Sequence, residues 1–309
     1  PPGPIPLNCK SCGELIAPPA RITSPRARRT CVSLPRRYST PTARPPSITT
    51  RVARAPVITA RFARFIAGRR KARADEFRRA FSAIGQYLGV EPTDSVLDRF
   101  LPNMPIERMH AAREGADIAG GAGAFPFRMT IPGAVVPTAG TTVVGVYPTH
   151  RRRGVLRALM QAQLADFHAR GEILAALFAS EESIYGRYGY GVTARAGQIT
   201  LPRDWTAYSK PFAPEGRVRI IEADEALTAM PRIYDALQPR VPGMFVRTPE
   251  WWASRVLPDP PERRGGGGPK RFAVLEHDGR VLGYSIYRHH MKWDAGVSTG
   301  RLEVMETLA

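Results

Sequence analysis

Apolar residues first recur at helical spacing in "ADEFRRAFSAIGQYLG", where Phe77, Phe81, Ile84 and Leu88 fall on one face. The pattern predicts an amphipathic helix and marks where globular sequence begins. "ERMHAAREGADIAGGAGAF" reads next as two strands around a Glu114-Gly115 turn. "TTVVGVYP", Thr141 to Pro148, is a β-rich run stopped by proline, and after Gly154 the residues Leu156, Leu159, Met160, Leu164 and Phe167 repeat at helical spacing. Gly171 suits the C-terminal cap of that helix. "EILAALFAS" then has the apolar density of a buried strand, and a turn rich in glycine and tyrosine follows it. Strand, basic glycine loop, helix and strand in that order predict an α/β unit.

A polar linker at 203–216 separates this unit from a partial restart of the pattern. "IIEADEALTAMPRIYDAL" predicts a helix with Leu227, Met230, Ile233, Tyr234 and Leu237 on one side. "RFAVLEHDGRVLGYSIYR" predicts a hairpin around Asp278-Gly279, and "RLEVMETLA" a last strand. Laying Val281-Leu-Gly283 on Ile118-Ala-Gly120 aligns the two hairpins, which suggests an internal duplication. The expected domains are thus 1–74 as a tail, 75–202, the linker, and 217–309 as a second, truncated copy.

Composition changes the picture mainly at the N-terminus. The chain of 309 residues is 43% hydrophobic, enough for two domains of ordinary size, and carries a formal charge of +18. Residues 1–74 hold 16 of the Lys and Arg against one acid, Glu14, so the remainder is nearly neutral. The segment is dense in Pro, Arg, Ser and Thr and lacks apolar periodicity, so a disordered tail is expected. It reads as a leader foreign to the fold, and the chain as a fragment. Nucleic-acid binding through this basic arm is the competing class of function.

No run approaches the roughly 18 apolar residues of a membrane span, so a membrane partner is not expected and a cytoplasmic location is. All three cysteines lie in the tail. Cys9 and Cys12 form one C-x-x-C that lacks two further ligands for zinc, and the six histidines are scattered, so no metal is expected. Gly121-Ala-Gly123 imitates a dinucleotide fingerprint, but Pro126 and the absence of a following helix argue against one.

The chemistry concentrates in "VYPTHRRRGVLRALM", Val146 to Met160. A helix N-terminus offers unpaired N–H groups and the positive end of the helix dipole, and so attracts phosphate. Arg151, Arg152 and Arg153 stand beside such a terminus, and Gly154 permits close backbone approach. A diphosphate fits this arrangement. Alone, the run would read as a solvated basic turn; the apolar strand before it, the strand ending at Ser180 and "SEESIYGRYGYG" after that strand shift the balance.

Together these features resemble the GNAT superfamily of acetyl-CoA-dependent N-acetyltransferases, and most closely the branch of mycobacterial enhanced intracellular survival proteins, through "PTHRRRG", "ASEESIYGRYGYG" and "IPGAVVPTAGTTVVGV". The resemblance implies an α/β fold with a mixed sheet, a GNAT fold followed by a partial second GNAT-like domain. It implies acetyl-CoA as co-substrate, with no metal. Val144 and Val146 would offer backbone groups to the pantetheine arm; Arg151, Arg152, Arg153, Gly154, Val155 and Arg157 would surround the diphosphate; Ser180 would line the cleft.

Tyr185 matches the general acid of the family. A phenol, with a reference pKa of about 10, stays protonated at neutral pH and can protonate a departing thiolate. The other reading of Tyr185 is an aromatic packed on the strand end. The resemblance further implies an amine acceptor such as an aminoglycoside, a polyamine or a lysine side chain, and a homo-oligomer. In the survival proteins a C-terminal carboxylate helps deprotonate the amine, and no residue here takes that role. An inactive cofactor-binding fragment is therefore a third reading.

Overall fold

The computed structural model describes residues 28–33, 74–89, 91–202, 205–213 and 215–309. One six-stranded mixed sheet contains β1 (Arg28–Ser33), β2 (His110–Glu114), β3 (Asp117–Ile131), β4 (Ala134–Val146), β5 (Leu174–Phe178) and β6 (Tyr190–Ala196) in the order β2-β3-β4-β5-β1-β6. Only β4 and β5 run parallel, and they pair over just Thr138↔Leu174, Ala139↔Ala175 and Gly140↔Ala176. Beyond Gly140 the two strands part.

Helices cover both faces. α1 (Ala74–Leu88) lies against β3 and β4, and its approach is permitted by two glycines. A Cβ at Gly121 would collide with the Ala80 carbonyl, and one at Gly145 with the backbone of Ala83 and Ile84. α2 (Asp94–Phe100) follows, adding Leu97 and Phe100 to the same core. On the opposite face α3 (Val155–Ala169) buries Leu159, Met160 and Phe167 of the predicted stripe together with Val155 and Gln163, while Leu156 and Leu164 are half-buried. Gly171, at φ +72°, closes α3 in the left-handed conformation that disfavours side chains.

A buried ion pair fixes the entry to β5. Arg108 Nη2 donates to both carboxylate oxygens of Glu172 at 2.6 and 2.8 Å, and its Nε donates to the Ala124 carbonyl. Removing either partner would strand a charge in the interior, a loss of about 3–5 kcal/mol.

The second half contains β7 (Arg217–Ile221), α4 (Ala223–Leu237), the short α5 (Pro249–Trp251) with a π turn at Trp252–Val256, β8 (Arg271–His277), β9 (Arg280–His290), the small ladder β10 (Trp293–Asp294) and β11 (Val297–Ser298), and β12 (Arg301–Leu308). Its sheet is antiparallel, in the order β12-β9-β8-β7. The helix reading had absorbed Ile220 and Ile221, which belong to β7. Leu227, expected on the buried side of α4, is exposed, because the packed face runs through Ala226, Met230, Ile233 and Tyr234.

The two hairpins share their irregularity. β2–β3 shifts register between Ala112 and Arg113, with Ala112 opposite Gly120 and Arg113 opposite Ile118. β8–β9 shifts between Leu275 and Glu276, with Leu275 opposite Gly283 and Glu276 opposite Val281. The same bulge thus stands at the same distance from the turn in both hairpins.

Both halves meet in one core. Phe125 and Phe127 contact Trp251 edge-on at 5.1 and 5.0 Å, and Phe127 meets Phe245 at 4.6 Å. Backbone bonds Thr130 N to Met244 O, Gly243 N to Thr130 O and Val246 N to Arg128 O stitch the 243–246 segment onto β3.

One part of the expected tail is ordered sheet. β1 pairs antiparallel with β5 on one side and β6 on the other, so its backbone groups are satisfied by neighbours and need no apolar pattern of their own. That is why composition gave no sign of it. Cys9 and Cys12 lie outside the described residues.

Candidate functional site

The parting of β4 from β5 opens a cleft, and β4 is deformed where it opens. The β3–β4 register shifts between Gly121 and Gly123, and Val143 takes φ +52°, a left-handed conformation costly for a β-branched residue. Gln163, fully buried on α3, donates Nε2–H to the Gly123 carbonyl at 2.8 Å and so braces the bulged region from below. Strain held in place by a buried hydrogen bond marks a built feature. Val144 and Val146 follow the bulge with side chains half-buried in the core, so their backbone is what can face the cleft.

At the end of β4, Tyr147 leads into a 3-10 turn at Pro148–His150 and then the arginine loop. Arg152 has φ +59° and Gly154 φ +87°, two left-handed turns that curl the backbone around the start of α3. Gly154 is the N-cap and supplies no side chain to it. The first N–H groups of α3 have no acceptor within the helix, and the dipole leaves this end positive. Chain curvature of this kind makes a concave anion seat. Val155 packs its side chain into the core and can contribute only its backbone, while Arg157 is exposed.

The three arginines are not equivalent. Arg153 is ion-paired with Glu114 in the β2–β3 turn, and His150 approaches the same carboxylate at 3.3 Å. Arg151 lies over the ring of Tyr87, its guanidinium carbon 5.6 Å from the centroid. Arg151 and Arg152 are exposed beside the seat.

From the other side comes the turn after β5. Ser180 is exposed at the strand end, and Tyr185 lies half-buried between two short 3-10 turns. Its ring meets Tyr190 edge-on at 5.8 Å, and the Tyr190 hydroxyl is 2.9 Å from Thr141 Oγ1 on β4. Tyr185 is thereby oriented from the mouth of the splay. Burial raises the pKa of Tyr188, with Arg187 and Arg157 opposing, so this turn and the first turn of α3 come together.

Of the predicted residues, Arg153 is turned toward Glu114, while Arg151, through Tyr87 and Glu181, and Arg157, through Tyr188, lie near the turn that carries Tyr185. Sequence reasoning missed Val143 and Gln163, whose deformation and buried bond carry no local sequence signal. A cavity of about 460 Å³ lies elsewhere, between α4 and β8, and its lining includes Asp224, Leu257 and Phe272 but none of the predicted site residues. Among the described residues no cluster of His, Cys, Asp or Glu could hold a metal ion, and no helix is long and apolar enough to cross a membrane.

Known proteins resemble this chain in sequence and fold. A family model described as an acetyltransferase (GNAT) domain matches residues 69–193. The chain is 41% identical over 198 residues to an uncharacterized N-acetyltransferase of Streptomyces avermitilis, covering 62% of this chain and 47% of the relative. It is 37% identical over 187 residues to the N-acetyltransferase Eis of Mycobacterium tuberculosis, covering 57% of this chain and 44% of that protein. The chain therefore spans about half the length of these relatives. Among solved structures, Eis1 from Mycobacterium abscessus superposes with TM-score 0.56 at 28% identity, over 77% of this chain and 57% of that one. A GCN5-related N-acetyltransferase from Anabaena variabilis shares the fold, with TM-score 0.58 at 15% identity, over 77% of this chain and 57% of that one. Residues 69–193 are thus similar to GNAT acetyltransferase domains, and the chain is similar over part of its length to the Eis-type N-acetyltransferases.

Proposed function

We propose that the protein transfers the acetyl group of acetyl-CoA to an amine acceptor by direct attack within a ternary complex. The observation that carries this reading is the conjunction of a splayed β4–β5 pair with a left-handed backbone seat at the uncapped start of α3. The splay suits an extended arm between the strands, and the seat suits a diphosphate. Bound acetyl-CoA supplies the acetyl group as an activated thioester.

The roles of this chain's residues follow. Arg151 and Arg152, with the N–H groups of Gly154, Val155 and Leu156 and with Arg157 nearby, hold the diphosphate. The backbone of Val144 and Val146 aligns the arm along β4, and Ser180 lines the opposite wall. As the amine nitrogen bonds to the acetyl carbon, the carbon–sulfur bond breaks and the Tyr185 hydroxyl gives its proton to the sulfur; the proton that the nitrogen sheds in becoming an amide passes to solvent, which restores the phenol. Backbone N–H groups on β4 next to the Val143 bulge suit the developing oxyanion. In this reading 75–202 is the catalytic unit, 203–216 the linker and 217–309 a second GNAT-like unit docked on the first.

Tyr185→Phe tests the chemistry, because it keeps the ring and its contact with Tyr190. A general acid contributes on the order of 100- to 10,000-fold, so kcat toward a polyamine or aminoglycoside should fall by that amount while coenzyme A affinity stays within a few-fold. Near wild-type turnover with chemistry rate-limiting would make Tyr185 a packing residue.

A further inference from the structure

Tyr87 stands on the last turn of α1 and touches both walls of the cleft. Its hydroxyl donates to Glu181 Oε1 at 2.5 Å, directly after Ser180 and at the start of the turn that carries Tyr185. The face of the same ring lies under the Arg151 guanidinium at 5.6 Å. A residue of one helix thus joins the arginine loop to the turn after β5. Nothing in the hydrophobic pattern requires it there: Tyr87 is 47% exposed and belongs to none of the core clusters.

The position of the helix is fixed independently. Gly145 and Gly121 bring α1 into backbone contact with β4 and β3, and the Tyr147 hydroxyl donates to the Arg79 carbonyl at 2.7 Å. Tyr87 is therefore carried on a rigid element beside a loop whose arginine side chains are long and exposed. An unrestrained arginine loses several rotatable bonds when it binds an anion, and a ring that already holds the guanidinium reduces that loss.

We propose that Tyr87 is a positioning residue for the co-substrate site: its ring holds Arg151 in the orientation that meets the diphosphate, and its bond to Glu181 holds the ring. This rests on the acetyl-CoA reading above. Tyr87 touches no reacting atom, and its effect passes through Arg151. The hydroxyl stays protonated in this arrangement, because its bond to Glu181 raises its pKa, with burial adding to the effect.

The test is a double-mutant cycle on coenzyme A binding, read by calorimetry on the full chain, with the thermal midpoint of each variant as a check on folding. Tyr87→Leu should weaken binding about three- to ten-fold, the size of an exposed cation–π contact together with lost preorganisation. Tyr87→Phe and Glu181→Gln, which keep the ring but weaken its hold, should each cost less, about two-fold. In an Arg151→Ala background, Tyr87→Leu should change nothing further. Additive losses, or an unchanged affinity in Tyr87→Leu, would overturn the inference while leaving the diphosphate site standing. Failure of the unaltered chain to bind coenzyme A would instead overturn the reading on which it rests. Should Tyr87→Leu not fold, the same cycle run with Tyr87→Ser decides the matter.

Discussion

Glu306 shows how a single carboxylate can tie one half of the molecule together. It accepts from both terminal nitrogens of Arg247 at 2.8 and 2.6 Å, and from the hydroxyl of Tyr284. Burial pushes its pKa up, but the Arg247 guanidinium and the Tyr284 hydroxyl outweigh burial, and the net shift is downward from 4.5. A carboxyl whose pKa is depressed by folding adds stability above its unfolded pKa and loses it as pH falls through the folded one. The Glu306→Gln variant should therefore be less stable than wild type by about 3–5 kcal/mol near neutrality. In thermal melts across a pH series, the gap should stay constant above about pH 5 and narrow below 4.5. A gap independent of pH down to pH 2 would show that the pair does not carry the effect. None of this was legible in the sequence, because 59 residues separate Arg247 from Glu306. The arginine loop was legible because its parts are consecutive, whereas Tyr87 and Glu181 are 94 positions apart.

At the scale of elements, legibility followed periodicity. The helical stripes of α1 and α3 and the apolar run of β5 could be read directly, since one face or both faces of each are buried. The two hairpins could be read from their turns. The bulge in β4 could not, because "TTVVGV" is as good a regular strand as any, and Gln163, whose bond to Gly123 lies beside the deformation, stands on α3. Strand β1 was missed because its stability comes from β5 and β6. Glycine in β4 has a reason that the sequence does hint at: an apolar strand does not otherwise need Gly145. Replacing it by alanine would push a Cβ into the backbone of α1 at Ala83 and Ile84. Gly145→Ala should lower stability by about 1–3 kcal/mol, as overpacking does. It should also weaken coenzyme A binding, because α1 carries Tyr87. Denaturant midpoints together with calorimetry check both effects; a variant as stable as wild type would mean that α1 yields easily.

At the scale of the whole molecule, charge and packing divide the chain differently. The excess of Lys and Arg lies in the first 74 residues, while the six-stranded sheet and the second half share one core through Phe125, Phe127, Phe245 and Trp251. Net charge therefore says little about the cleft, whose positive character comes from a few arginines and one helix end. The most direct measurement is a calorimetric titration of coenzyme A into the wild-type chain, an Arg153→Ala variant and an Arg151→Ala/Arg152→Ala variant. Each charge-assisted hydrogen bond to the diphosphate contributes about 1.5–3 kcal/mol, so the double variant should bind at least on the order of 100-fold more weakly than wild type. Arg153 is already paired with Glu114, so its removal should cost much less. Equal affinity in the wild type and the double variant would contradict the assignment of this loop as the acetyl-CoA site.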